Sequence, residues 1–159
     1  MAIEYERKYL VEGEDWQAEI RRSALIAQGY IAITDTASVR VRVAGDVGSL
    51  TVKSLDTQGI GRIEVEAPLP LDEARQLMDQ LAVGVIQKTR HIIDRGPQQW
   101  TVDVFDGLNA GLVLLEIEDV NDFTPPVLPT WVGPEVTTDP RFQNSYLSEH
   151  PISTWSDKP

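Results

Sequence analysis

The sequence predicts a single α+β domain, mainly β, built on an antiparallel sheet that is either open or closed into a barrel. Three observations support this fold class: polar and apolar residues alternate with a period of two in many segments, turn-forming residues separate those segments, and helical spacing is rare. With 159 residues and no break in composition, we expect residues 1–159 to form one domain around one core.

Strands are predicted where polar positions alternate with bulkier neighbours. In chain order these positions are Glu4, Glu6 and Lys8; Arg40 and Arg42; Thr51 and Lys53; Glu64 and Glu66; Lys88 and Arg90; Asp103 and Phe105; and Glu116 and Glu118. Glycine or proline at 45–48, 59–61, 95–97 and 106–107 supplies turns between them. The pattern therefore predicts about eight strands joined by short connections.

Helices are predicted in three places from the spacing of apolar residues. The first helix is marked by Trp16, Ile20, Ala24 and Ala27, with Gly29 as its C-terminal cap; the second by Ala74, Leu77, Met78 and Leu81, after Asp72; the third by Phe142 and Tyr146, with Asp139 as N-cap and Pro140 at the first helical position. Residues 124–134 contain four prolines and predict an extended connection.

Composition excludes several classes of function. The formal charge of -11 argues against a nucleic-acid partner, although basic residues inside a cavity can still bind an anion. The absence of cysteine excludes disulfides, thiolate nucleophiles and cysteine-bound metals. The N-terminus is charged at once and no apolar run is long enough to span a bilayer, which predicts a soluble, cytoplasmic protein without a membrane partner. The sequence carries no signal of the oligomeric state, so a homodimer remains one of the alternatives.

The charged alternating positions are sorted by sign, mostly strand by strand. Six are cationic (Lys8, Arg40, Arg42, Lys53, Lys88 and Arg90) and seven are acidic (Glu4, Glu6, Glu64, Glu66, Asp103, Glu116 and Glu118). One such strand is typical of a sheet with a solvated face, but a merely soluble face would interleave the signs. Like charges at about 4 Å repel by about 4 kcal/mol at an effective dielectric constant of about 20. Polyphosphate with divalent cations would supply both counter-charges.

The segment Glu4-Tyr5-Glu6-Arg7-Lys8 resembles the Glu-x-Glu-x-Lys signature of the CYTH superfamily, also called triphosphate tunnel metalloenzymes. Further matches follow in family order at Arg40-Val41-Arg42, Thr51-Val52-Lys53, Glu64-Val65-Glu66, Lys88-Thr89-Arg90, Asp103-Val104-Phe105 and Glu116-Ile117-Glu118. The resemblance covers residues 3–120 and implies a closed, eight-stranded antiparallel barrel whose lumen binds a triphosphate. Residues 28–31 and 135–142 are similar to short bacterial members that act as inorganic tripolyphosphatases.

The resemblance also implies roles for individual residues. It implies Mg²⁺ or Mn²⁺ as cofactor, with Glu4, Glu6, Glu116 and Glu118 as ligands and Asp103 close to the same centre. It implies phosphate binding by Lys8, Arg40, Arg42, Lys53, Lys88 and Arg90, with Tyr30 as a secondary candidate at one end of the tunnel. The predicted catalytic residues are Glu4, Glu6, Lys8, Glu64, Glu116 and Glu118, where Glu64 completes a metal site, orients water or holds basic side chains.

These assignments predict in-line attack of a metal-activated water on a terminal phosphoryl group, with the cations stabilising the developing charge. The predicted substrate is inorganic tripolyphosphate. Alternatives are a nucleoside or thiamine triphosphatase, a class IV adenylyl cyclase, and a module that binds polyphosphate or a nucleotide without cleaving it. The paired carboxylates favour catalysis, because anion binding alone does not need them.

Overall fold

The computed structural model describes residues 3–54, 61–119 and 126–159 of the chain, and a single antiparallel sheet dominates them. Its strands are β1 (Ile3–Val11), β2 (Ile20–Ile33), β3 (Ala37–Ala44), β4 (Val47–Ser54), β5 (Gly61–Leu69), β6 (Gly84–Ile93), β7 (Gln99–Phe105), β8 (Val113–Asp119) and β9 (Val132–Glu135). The helices are α1 (Leu71–Leu81) and α2 (Asn144–Glu149), and short 3₁₀ turns cover Asp15–Glu19, Gly107–Asn109, Pro140–Phe142 and Ile152–Thr154.

The sheet closes into an eight-stranded barrel. The strand order is β5-β4-β3-β2-β6-β7-β8-β1, and β1 also pairs with β5. Within the described residues, three β1–β5 pairs close the barrel: Ile3 with Ile63, Glu4 with Arg62 and Tyr5 with Gly61. Farther along, the same edge of β1 pairs with β9, at Tyr9 and Val11. The predicted closed antiparallel barrel is therefore confirmed, with β9 as an additional strand.

The inner face of the barrel changes from charged to apolar along several strands. On β1, β6 and β8 the alternation that carries Lys8, Lys88 and Glu116 continues to Leu10, Ile86 and Leu114. These apolar residues, together with Phe105, pack against Phe142, Leu147 and Ile152 of the C-terminal segment. The C-terminal segment thus packs on the apolar part of the inner face.

A second core lies on the outer face of the barrel wall. It contains Tyr9, Trp16, Ile93, Trp100, Val102, Leu115, Ile117 and Trp131, all buried. The 3₁₀ turn at Asp15–Glu19 and the chain leading to β9 cover it, and the indole of Trp131 donates a hydrogen bond of 3.1 Å to Glu19 Oε1. Burial on both faces specifies the register of these strands, because a slip by one residue would exchange the side chains of the two faces.

The predicted second helix is confirmed as α1, which packs outside β2, β3 and β4. Its buried Ala74 approaches Gly48 so closely that a Cβ at Gly48 would lie 2.7 Å from the Ala74 Cβ. At the other end of α1, a Cβ at Gly29 would lie 2.7 Å from the Cβ of Ala82. The two glycines therefore let the helix sit directly against the strands.

The helix predicted from Trp16 to Ala27 is wrong. Trp16 lies in a 3₁₀ turn, and Ile20 to Ala27 belong to β2, which pairs with both β3 and β6. The apolar spacing rested largely on alanines, which are small enough to suit either structure, and backbone pairing on both sides outweighs that weak preference. Gly29, expected to cap the helix, lies within β2.

The third predicted helix is present in two parts, the turn Pro140–Phe142 and α2. Asp139 caps the first part as predicted, because its Oδ1 accepts a hydrogen bond of 3.0 Å from the backbone N–H of Arg141. The extended connection predicted for 124–134 ends in β9, while residues 124–125 and the turn residues 59–60 lie outside the described ranges. Among the described residues, no helix has the length and apolar character needed to cross a membrane.

Candidate active site

The charged inner face encloses a cavity of about 220 Å³. Eleven of the thirteen charged positions grouped by the sequence pattern line this cavity, the exceptions being Lys88 and Asp103. Tyr30 lines it as well, so β2 contributes to the site despite its misassigned secondary structure. The alternation of the strands is the cause, because every second residue of adjacent strands points into the same lumen.

Three acidic side chains meet on one side of the cavity. Glu4, Glu6 and Glu118 each offer a carboxylate oxygen, and these oxygens lie within 4.8 Å of one another. Burial, a hydrogen bond with Glu64 and nearby acids raise the pKa of Glu4 to about 8, and burial with Glu116 and Glu6 raises the pKa of Glu118. The crowded, partly protonated group fits a divalent cation, since hard carboxylate oxygens are the ligands that Mg²⁺ and Mn²⁺ prefer.

Lys8 lies between two buried carboxylates. Its Nζ is 2.7 Å from Glu116 Oε1 and 2.8 Å from Glu6 Oε1. Burial alone would lower the pKa of Lys8, but Glu116 and Glu6 outweigh burial and raise it. For Glu6, burial is likewise outweighed, here by Lys53 and Lys8, which bring its pKa to about 2. Lys8 and Glu6 therefore stay charged throughout the neutral range.

Lys53 and Arg40 contact the acids of β1 and β5. Lys53 Nζ lies 2.7 Å from Glu4 Oε2 and 3.0 Å from Glu64 Oε2. Arg40 Nη2 is 3.9 Å from Glu64 and 3.7 Å from Glu66, and it donates a hydrogen bond of 3.0 Å to the hydroxyl of Thr51. These cations hold the acids in place and can exchange them for phosphate oxygens.

Lys88 and Asp103 form a fully buried ion pair on the inner face of the barrel, beyond the residues that line the cavity. Lys88 Nζ lies 2.5 Å from Asp103 Oδ2, with both side chains 0% exposed, and it also donates to Asn144 Oδ1 at 3.1 Å. Burial lowers the pKa of Lys88 to about 8 despite the partner. The structure thus does not bring Asp103 to the acid group or Lys88 to the cavity; together they lie against Arg90, which does line it.

Glu116 also differs from its expected surroundings. Its two oxygens are engaged by cations, Oε1 by Lys8 and Oε2 by Arg90 Nη2 at 2.5 Å. Burial raises its pKa, but Lys8, Arg90 and Lys88 together hold it well below the usual value. It lines the cavity beside the group of three acids, as the carboxylate that links two cations.

Tyr30 is buried in the cavity wall at 4% exposure. Its hydroxyl accepts a hydrogen bond of 3.2 Å from Gln28 Nε2, and burial raises its pKa although Arg40 and Arg42 oppose this. The hydroxyl is therefore neutral at physiological pH and can donate to an anion in the cavity.

Several lining residues lie outside the predicted set. Ser38 and Arg62 continue the period-two patterns that carry Arg40 and Glu64, so the same alternation predicts their orientation into the lumen. Gln143, Asn144 and Ser145 come from the C-terminal segment. Nothing in their local sequence distinguishes them from an ordinary polar helix start.

Comparison with known proteins gives a consistent set of relatives. Residues 2–125 match the CYTH domain. An inorganic triphosphatase from Acetivibrio thermocellus is 39% identical over 158 residues, covering 99% of this chain and 100% of that protein. An inorganic triphosphatase from Nitrosomonas europaea is 32% identical, covering 91% and 96%. A crystal structure of an inorganic triphosphatase superposes with a TM-score of 0.64 at 30% identity, covering 93% of this chain and 95% of that one.

Proposed function

The chain belongs to the CYTH domain family, and from this membership we propose that it is a metal-dependent phosphohydrolase that cleaves inorganic tripolyphosphate to pyrophosphate and phosphate. The observation that supports this best is the cavity itself, in which cations and a group of three acids are enclosed together. A triphosphate and a divalent cation are the two ligands whose charges would complement such a lining.

The size of the cavity favours an inorganic substrate over a nucleotide. Its volume of about 220 Å³ is below the roughly 300–1,000 Å³ of pockets that enclose drug-sized ligands. A nucleoside would have to lie outside this lumen, in an adjoining pocket of about 440 Å³ that shares Glu64 and Glu118 with it, so the comparison with ATP is an essential part of the test.

Glu4, Glu6 and Glu118 are the residues that would hold the divalent ion, with Glu116 beside them. When bound, a Mg²⁺ or Mn²⁺ ion would supply charge neutralisation on phosphate oxygens and lower the pKa of water. Asp103, at 0% exposure, is better explained as a positioning residue, because its carboxylate accepts hydrogen bonds of 2.7 Å from both Nε and Nη2 of Arg90.

The basic residues of the lumen bind and orient the triphosphate. Lys8, Arg40, Arg42, Lys53 and Arg90 line the cavity and can each donate charge-assisted hydrogen bonds to phosphate oxygens. Substrate oxygens would replace the carboxylates that now accept hydrogen bonds from Lys53 and that pair with Arg40 at longer distance. Fixed cations of this kind stabilise the charge that develops on the phosphoryl oxygens as the leaving group departs.

Glu64 is the residue best placed to orient the attacking water and accept its proton. It is hydrogen-bonded to Glu4 and lies 3.0 Å from Lys53 Nζ, and Lys53 with that hydrogen bond holds its pKa below the usual value although burial opposes this. In the reaction the water oxygen bonds to a terminal phosphorus, the bridging P–O bond breaks with its electrons going to pyrophosphate, and a carboxylate accepts the water proton.

Phosphate release from tripolyphosphate and from ATP, measured side by side with Mg²⁺, with Mn²⁺ and with chelator, tests this proposal. We expect metal-dependent release with a preference for tripolyphosphate, and loss of release in Glu4→Gln but not in Glu12→Gln, an exposed acid of β1's C-terminal flank. A preference for ATP would point to a nucleotide hydrolase. Binding of both compounds without release would point to a sensor or a cyclase. The cytoplasmic location stays a prediction from the sequence.

A further inference from the structure

Two arginines of the cavity differ from its other cations. Lys8, Arg40, Lys53 and Arg90 each lie within 4.0 Å of at least one carboxylate. Arg42 and Arg62 line the same cavity, but within the described part of the chain neither has a carboxylate at that distance. Among the described residues, therefore, neither of these two guanidinium groups forms an ion pair of the kind that the other four cations form.

Each of these two arginines is held by a glutamine instead. Arg42 Nη2 donates to Gln28 Oε1 at 3.3 Å, and Arg62 Nη1 donates to Gln143 Oε1 at 2.8 Å. The Nε of each guanidinium is buried without a hydrogen-bond partner among the described residues. A neutral amide oxygen fixes the direction of a guanidinium but leaves its charge available to a ligand, whereas a carboxylate would do the first and prevent the second.

The glutamines themselves are fixed. Gln28 is 0% exposed, and its Nε2 donates to the hydroxyl of Tyr30 at 3.2 Å. Gln143 lies between the Pro140–Phe142 turn and α2, where its backbone N–H donates to the carbonyl of Pro140 at 3.1 Å. The side-chain amide of Gln28 is therefore oriented before a ligand arrives, and the backbone that carries Gln143 is anchored, which lowers the entropy lost when Arg42 and Arg62 bind a ligand.

We propose that Arg62 is a further phosphate-binding residue of the tunnel, and that Gln28 and Gln143 are positioning residues that present Arg42 and Arg62 to the substrate with their charges uncompensated. The inference rests on the proposed function, since the anion that needs these charges is the triphosphate. It assigns the C-terminal segment a part in substrate binding through Gln143, in addition to closing the apolar core.

The charge balance of the free protein supports this assignment. Arg62 is 9% exposed, and a buried guanidinium without an acid is costly unless a ligand compensates it. Burial, together with Arg40 and Arg90, outweighs Glu66 and lowers the pKa of Arg42 to about 10. Phosphate oxygens would supply negative charge here, with the fork of N–H donors matching their geometry.

The sharpest test is Gln143→Glu, which keeps the shape of the side chain and gives Arg62 a carboxylate partner. We expect the melting temperature to stay the same or rise, while KM for tripolyphosphate rises about tenfold or more with kcat little changed. Gln80→Glu, at an exposed position of α1, makes the same chemical change outside the cavity and should leave both constants at wild-type values. Arg62→Gln should raise KM to a similar extent.

Binding in the absence of turnover separates this inference from the proposed function. With chelator present, we expect calorimetric titration to show weaker tripolyphosphate binding to Gln143→Glu and Arg62→Gln than to wild type and to Gln80→Glu. If the wild type hydrolyses tripolyphosphate and both variants keep its KM and its binding affinity, the inference is overturned while the proposed function stands. If the wild type binds tripolyphosphate without hydrolysing it, and both variants bind it more weakly, the inference is supported while the proposed function fails.

Discussion

The carboxylate of Asp103 receives two hydrogen bonds of 2.7 Å from Arg90, one from Nε and one from Nη2. Its Oδ2 is also 2.5 Å from Lys88 Nζ. One fully buried acid therefore balances two cations, and only one of these, Arg90, reaches the cavity. Asp103 therefore fixes the position of the Arg90 guanidinium at the cavity.

Replacing Asp103 with asparagine should destabilise the protein strongly. The change leaves Lys88 and Arg90 without their shared carboxylate, and breaking a buried ion pair in this way typically costs about 3–5 kcal/mol. Denaturant unfolding of Asp103→Asn measures the loss, with Asp106→Asn, at an exposed position, as the matched control. Equal stabilities of the two variants would contradict the role given to Asp103.

Much of the site was predictable because its residues follow the strand period. Glu4, Arg40, Lys53 and Glu118 reach the lumen as members of alternating patterns, and the same rule extended by one step would have included Arg62. Depth along the barrel was not predictable. Asp103 alternates like the others, but it does not line the cavity, and its carboxylate contacts Lys88 and Arg90 of the neighbouring strand instead.

The parts that failed depend on contacts distant in sequence. β2 resembles a weak helix locally and becomes a strand only because β3 and β6 pair with both of its edges. Gln143 enters the cavity because the C-terminal segment packs on the apolar part of the lumen, a contact 81 residues away from its partner Arg62. A local sequence pattern carries no information about contacts between residues so far apart in the chain.

Removing one acid from the group of three should act mainly by weakening metal binding. In Glu118→Gln, one of the three clustered oxygens becomes a neutral amide, and we expect the Mn²⁺ concentration for half-maximal activity to rise at least about tenfold. Calorimetric titration with Mn²⁺ alone should show the same change. The control is Glu149→Gln, an exposed residue of α2; an unchanged Mn²⁺ requirement in Glu118→Gln would argue against the site.

Substrate together with metal should stabilise the folded protein. If tripolyphosphate binds only the native state, a hundredfold excess over its dissociation constant adds about 2.7 kcal/mol to the free energy of unfolding. Thermal melts with tripolyphosphate and Mg²⁺ measure this gain, and Lys8→Ala should reduce it because Lys8 lines the cavity at 3% exposure. No rise in melting temperature at saturating ligand would exclude a binding site in the lumen.

The stability of the metal-free protein should pass through a maximum near pH 5. Glu6 has a pKa near 2 in the folded protein. Below about pH 4.5 the unfolded chain therefore binds a proton that the folded protein does not bind, and the free energy of unfolding decreases as the pH is lowered. Glu4 has a folded pKa of about 8, so between about pH 4.5 and 8 the folded protein keeps a proton that the unfolded chain releases. Stability therefore falls again as pH rises through that window.

A divalent ion should cancel the second decline, because it binds the same carboxylates in their ionised form and gains affinity as they lose protons. Melting temperatures from pH 3 to 9 with chelator and with Mg²⁺ test both statements. We expect the Mg²⁺-dependent increase to grow between about pH 5 and 8 in the wild type. In Glu4→Gln the decline with chelator should be smaller, since the amide cannot ionise. If the stability of the wild type in chelator rises steadily up to pH 8, Glu4 is not protonated in the folded protein.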